Sequence, residues 1–134
     1  MILGMGMDIE EIPRVREVME RHRERFLRRV FTAGEITYCS QHKHPELRYA
    51  ARFAAKEATM KALGTGWRDG VAWKQIEIAN LPSGKPTIQL DGKALEIFRS
   101  LGGTSVAVTL SHTQQVAAAT VIIEGELATA KSKS

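Results

Sequence analysis

With one cysteine in 134 residues, Cys39, this chain has no means of forming an internal disulfide. That shortage fits a reducing compartment, and it also undercuts Cys39, His42 and His44 as a zinc site, because a structural site needs more thiolate or imidazole ligands than these three supply. Long apolar runs are missing too: no stretch approaches the roughly 18 apolar residues that a spanning helix requires. The opening Met-Ile-Leu-Gly-Met-Gly-Met-Asp has no basic region and is broken by glycine and aspartate, so neither a signal peptide nor a membrane span is expected there. Glycine-rich nucleotide fingerprints are absent. Neither Gly4-Met5-Gly6 nor Gly84-Lys85-Pro86 completes a dinucleotide motif or a P-loop. There is no internal repeat. These absences predict a soluble protein of the cytoplasm.

What is present suffices for one domain. The chain is 43% hydrophobic, enough for a single core, and residues 1–124 read as one unit. Residues 125–134 are small, polar and aperiodic, and read as a flexible tail. The net charge of +4 is concentrated. Between Pro13 and Arg29 stand seven arginines (14, 16, 21, 23, 25, 28, 29) against Glu17, Glu20 and Glu24, an excess equal to that of the whole chain. Such a surface attracts a polyanion or an acidic protein, or is simply a solvated helix face with ion pairs four residues apart.

The pattern predicts an α+β fold in which an antiparallel sheet packs against a long central helix. Residues 1–8 read as a first strand with Asp8 at its end. Glu10, Glu11 and Pro13 open a helix carrying Ile12, Val15, Met19, Phe26 and Val30 on one stripe. Thr32 and Glu35 have the spacing of a capping box, and Pro45 closes the short helix that follows. Residues 46–63, rich in alanine, give the strongest helical signal, ended by Gly64. Strands are predicted over 73–78 and 87–90 around a turn at 82–86, then a helix capped by Asp91, then a hairpin of 105–110 with 116–123.

On the long helix Glu57 and Lys61 share a face, as do Arg52 and Lys56, so that three cations and one carboxylate cluster over three turns. By spacing alone Glu57 and Lys61 are either a surface ion pair or part of a site for a phosphate-bearing substrate, which needs cations and suits magnesium held by one or two carboxylates. Asp8, flanked by Met7 and Ile9, is a ligand or a cap. Gly64-Thr65-Gly66 offers amides to an anion or merely ends the helix. His112, between Ser111 and Thr113, donates to a phosphate or is solvated.

Together these segments resemble the holo-acyl-carrier-protein synthase family of 4′-phosphopantetheinyl transferases. The resemblance rests on Gly6-Met7-Asp8-Ile9-Glu10-Glu11-Ile12-Pro13-Arg14, on Phe31-Thr32-Ala33-Gly34-Glu35, and above all on the run from Arg52 through Lys56-Glu57-Ala58-Thr59-Met60-Lys61 to Gly64-Thr65-Gly66. Gly84-Lys85-Pro86, Leu110-Ser111-His112-Thr113 and Ala117-Ala118-Ala119 follow in order. The resemblance implies transfer of the phosphopantetheine arm of coenzyme A to a serine of apo acyl carrier protein, with release of 3′,5′-ADP, in support of fatty acid biosynthesis. It assigns Asp8 and Glu57 as magnesium ligands, with Lys61 on the diphosphate. It places Arg52, Gly64, Thr65, Gly66, Lys85, Pro86, His112 and Thr113 along the coenzyme A cleft, and makes Arg14 and Arg21 the docking surface for the acidic carrier. It implies a homotrimer with sites between subunits, and it needs no enzyme nucleophile. The acceptor of the serine proton stays open between Glu57 and a water. The competing reading, a small basic nucleic-acid-binding protein, would use the same arginines against phosphates but leaves Asp8, Glu57 and Lys61 without a role.

Overall fold

The structure is a computed structural model that describes residues 1–65 and 69–127; Gly66 and most of the expected tail, residues 128–134, lie outside the described residues. In chain order the elements are β1 (Ile2–Glu11), α1 (Ile12–Val30), α2 (Ala33–Ser40), α3 (Pro45–Leu63), β2 (Ile76–Asn80), β3 (Pro86–Leu90), α4 (Gly92–Ser100), β4 (Gly103–His112) and β5 (Val116–Gly125). They form the expected α+β architecture, but with two antiparallel sheets: three strands in the order β1-β5-β4, and the separate pair β2-β3. Among the described residues no helix is long and apolar enough to cross a membrane.

The sheet and α3 meet through small residues. Ala54, Ala55, Ala58 and Ala62 are buried on one face of α3, against Ala119, Val121 and Ile123 of β5. On β1 the matching positions are Gly4 and Gly6, where any Cβ would collide with the Ala62 and Ala58 carbonyl oxygens. Helix and strand therefore approach backbone to backbone. Side chains alternate along a strand, so the face that carries Gly4 and Gly6 continues with Asp8 and Glu10 toward the helix, while Met5, Met7 and Ile9 point outward and are 60%, 55% and 57% exposed.

A second core lies beneath α1, where Ile12, Val15, Met19, Leu27 and Val30 pack on Phe31, Cys39 and Tyr49. The predicted stripe holds except that Leu27 takes the place of Phe26. His22 leaves helical dihedrals (φ −138, ψ 41), which re-aims the second half of α1 and leaves Phe26 half-buried at its flank. Between the cores Lys56 and Glu35 form a fully buried ion pair at 2.7 Å.

Four expectations need correction. β1 runs three residues past Asp8, because pairing with β5 continues to Glu11 opposite Val116, so Asp8 sits inside the strand. Pro45 opens α3 instead of closing the preceding region, since the first turn of a helix has no use for the missing N–H. Residues 73–75 are a 3-10 turn, and pairing with β3 starts only at Ile76. Arg52 and Lys56 do not cluster with Glu57 and Lys61: Lys56 is drawn into the core by Glu35 and by the Trp73 and Ile76 carbonyls. The capping box at Thr32 and Glu35 is present, and so is the left-handed cap at Gly64 (φ 75).

Candidate active site

The chemistry-bearing residues fall into two groups on opposite flanks of α3. Arg52 and Lys61 are nine residues apart, about half a turn around the axis at roughly 100° per residue, with the sheet-facing alanines between them.

The first group gathers where β1 passes α3. Lys61 Nζ donates to Asp8 Oδ1 at 3.1 Å and to the Met7 carbonyl at 2.9 Å. The Asp8 side chain is only 13% exposed, and its second oxygen, Oδ2, is buried with no hydrogen-bond donor. A buried carboxylate oxygen without a donor is costly, and a cation or a proton donor would satisfy it. Glu57, one turn before Lys61, joins this group, with Oε2 accepting the indole N–H of Trp73 at 2.7 Å. Glu10 completes it. Burial first, then the adjoining carboxyl of Asp8 and the charge of Glu57, push the Glu10 pKa up to about 8 against the opposing pull of Arg14. Carboxylates crowd here beyond what Lys61 neutralises. Among the described residues no three carboxylate, imidazole or thiolate groups stand in metal-holding geometry.

The second group lines a cavity of about 520 Å³ between α3, the β2–β3 turn and β4. Arg52, Lys85, Pro86 and His112 of the expected coenzyme A set meet here, joined by Arg48 and Asn80. Arg52 stacks on the Tyr38 ring at 4.1 Å and donates to Asn80 Oδ1 at 2.6 Å, while its Nε is buried without an acceptor. Asn80 in turn donates to the Gly84 carbonyl at 2.9 Å, tying the guanidinium to the turn that carries Lys85. Arg48, Arg52 and Lys85 thus place three cations around one cavity, a setting that suits an anionic group.

The remaining expected residues stand outside both groups. Thr113 spends its hydroxyl on the Gln115 and Val116 amides of the β4–β5 turn and does not line the cavity. Gly64 and Thr65 follow α3, the latter with a buried hydroxyl that has no partner, and Gly66 is outside the described residues. Arg14 and Arg21 are exposed on α1, with Arg21 paired to Glu17 at 3.4 Å. Cys39 is buried and pushed up to about 12 by burial, which makes it no nucleophile. Sequence reasoning missed Glu10, Trp73, Asn80 and Tyr38. The alternation of a longer β1 would have revealed Glu10 beside Asp8, whereas the other three reach their sites only through tertiary packing.

Comparison with known proteins places the chain in a family. Residues 4–121 match the family described as the 4′-phosphopantetheinyl transferase superfamily. A curated relative, the holo-[acyl-carrier-protein] synthase of Koribacter versatilis, is 48% identical over 124 residues, covering 92% of this chain and 99% of that protein. Among solved structures, the holo-[acyl-carrier-protein] synthase of Neisseria meningitidis superposes with a TM-score of 0.84 at 34% identity, covering 92% of this chain and 99% of that one. The Helicobacter pylori holo-[acyl-carrier-protein] synthase in complex with coenzyme A gives 0.79 at 29% identity, over 90% of this chain and 99% of the other.

Proposed function

This chain belongs to the 4′-phosphopantetheinyl transferase superfamily, as one of its holo-acyl-carrier-protein synthases, and from that premise we propose that Asp8 and Glu57 hold the magnesium ion of the reaction beside Lys61. The reaction forms a bond between the serine oxygen of apo acyl carrier protein and the β-phosphorus of coenzyme A, and breaks the bond from that phosphorus to the bridging oxygen. The phosphopantetheine arm moves to the carrier, and 3′,5′-ADP leaves. The observation that carries the site assignment is the buried, donorless Oδ2 of Asp8 next to Glu57 and Glu10. An all-oxygen donor set of this kind suits magnesium. The ion, when bound, neutralises charge on the diphosphate oxygens.

The protein's own part is positioning and charge. Lys61, which donates to Asp8 Oδ1, would stabilise charge on a diphosphate oxygen beside a cation held by Asp8 and Glu57. Arg52, Arg48, Lys85 and His112 receive another phosphate of coenzyme A in the cavity. No side chain needs to become a nucleophile, because the attacking oxygen comes from the carrier.

The carrier docks on α1. Arg14 and Arg21 project from its first half, and its second half borders a groove of about 330 Å³ lined by Val18, His22, Arg25, Phe26, Phe53 and Trp73. An apolar groove rimmed by arginines suits an acidic partner that presents apolar side chains. The enzyme is a homotrimer of the cytoplasm with sites between subunits. Two features support the assembly: Met5, Met7 and Ile9 leave the outer face of the sheet apolar and exposed, and the two groups of site residues stand on opposite flanks of α3 within one chain.

Incubating the protein with apo acyl carrier protein, coenzyme A and magnesium, and weighing the carrier by intact-mass spectrometry, tests this reading. A phosphopantetheine-sized gain that a chelator abolishes is expected, and Glu57→Gln should abolish it in folded protein. Substantial remaining activity of Glu57→Gln at saturating magnesium would remove Glu57 from the ligand set.

A further inference from the structure

Glu57 meets the cation site with one oxygen already engaged, and the donor is unusually well held. The indole N–H of Trp73 lies 2.7 Å from Glu57 Oε2. Trp73 itself sits in a short 3-10 turn whose carbonyl accepts from the buried Lys56 Nζ at 3.0 Å. The turn is tied down again at Gln75: its carbonyl accepts from the Asp91 amide at 2.9 Å and its side chain from the Ala94 amide at 3.2 Å. The ring is flanked by Phe53, with centroids 6.2 Å apart, and by the Arg29 guanidinium at 5.6 Å. Such fixation on backbone, helix and ring costs more than a rim contact would need, and the atom it aims is an N–H with a single acceptor.

We propose that Trp73 is a positioning residue for the reaction: its indole N–H holds one oxygen of Glu57 and so presents the other, in a fixed rotamer, to the cation shared with Asp8. The inference rests on the cation-site reading of Glu57. Indole is a donor with no acceptor, so it serves the charged carboxylate without competing for the ion or accepting a proton. A hydrogen bond to an ionised group is short and strong, and the 2.7 Å separation matches that class. Glutamate on a helix otherwise samples several rotamers, and an ion that needs a particular one is weakened by the fraction of time spent elsewhere. Phenylalanine keeps an aromatic ring at this position and removes the N–H, and the manganese readout reports on the ion and not on the packing that the smaller ring gives up.

Manganese titration followed by electron paramagnetic resonance of the free ion tests this on the whole protein without any turnover. Trp73→Phe should weaken manganese binding about tenfold, the lower end of what removing such an outer partner costs. Binding within about twofold of wild type would overturn the proposal. A second measurement needs no variant at position 73. In a Trp67→Phe protein, where Trp73 is the only indole, emission should be quenched saturably by manganese at the concentrations that fill the site. An emission that ignores bound manganese would place the indole away from the ion and overturn the proposal as well. Should wild-type protein bind no manganese, the cation reading of Asp8 and Glu57 fails first and takes this one with it. Intact binding with an unaffected Trp73→Phe protein sinks the positioning role alone.

Discussion

Replacing Glu35 by glutamine tests whether the buried ion pair between the two cores is as demanding as its surroundings imply. Glu35 and Lys56 are both fully buried, with Lys56 Nζ on Glu35 Oε1 at 2.7 Å and its other donors on the Trp73 and Ile76 carbonyls. Glu35 also accepts from the Thr32 amide at 2.9 Å and the Ile78 amide at 2.8 Å. Glutamine has one acceptor where glutamate has two, so one of these donors loses its partner and the ammonium loses its counter-charge. Breaking a buried pair in this way costs about 3–5 kcal/mol, a large share of the roughly 5–15 kcal/mol that a domain commands. The pH dependence gives a second check. Burial already lowers the Lys56 pKa, and Glu35 opposes that shift, so Glu35→Gln lowers it further. A lysine whose folded pKa is depressed binds fewer protons in the folded than in the unfolded state, so stability rises with pH from the folded value up to the unfolded value near 10.4. The variant should therefore be weakest at neutral and acid pH and recover part of its deficit by pH 9.5. Urea denaturation at fixed protein concentration between pH 6 and pH 9.5 measures both quantities. A loss below about 1 kcal/mol, or a deficit that does not shrink as pH rises, would refute this reasoning.

Gly6→Ala should cost at least about 3 kcal/mol or prevent folding, because its Cβ would meet backbone of α3 that cannot give way; a thermal melt unchanged within 2–3 °C would contradict the close approach. Glutamate at both Arg14 and Arg21 should weaken carrier-protein binding at least tenfold in surface plasmon resonance while leaving coenzyme A binding intact. Equal loss of both would remove α1 from the docking role.

The parts of the fold legible in the sequence were those set by local chemistry. Thr32 and Glu35 satisfy each other's amides within one turn, Gly64 takes the left-handed cap, and the alanine run of α3 is helical by propensity and packing alike. What the sequence hid was set by partners far along the chain. β1 is held through Glu11 by β5, more than a hundred residues away, and without that pairing Asp8 looked terminal and Glu10 looked like the start of a helix. Lys56 matches the spacing of Arg52 on α3, yet its environment is decided by Glu35 and two carbonyls. Trp73 reads as a strand residue by composition, but Lys56 and the Asp91 amide hold its turn instead. Glu57 and Lys61 were visible by their spacing on one helix, whereas the Trp73 donor to Glu57, sixteen residues along the chain, was not.

The separation of the two groups within one chain leads to a sharper prediction about assembly. If the cavity that contains Arg52 completes the carboxylate site of a neighbouring copy, each active site takes one half from each of two chains. Asp8→Asn then destroys the carboxylate half of its own chain and leaves its cavity intact, while Arg52→Ala does the reverse. Each variant alone should be nearly inactive. Unfolded and refolded together in equal amounts, they would form mixed assemblies in which an interface is whole only when its carboxylate half comes from Arg52→Ala and its cavity from Asp8→Asn. Random assembly makes that true of about one quarter of interfaces, so activity should return to about a quarter of the wild-type value. If one chain supplies both halves, no mixture contains a whole site and activity stays at the mean of the two variants. Because each variant alone is nearly inactive, the recovered fraction distinguishes a shared site from a self-contained one.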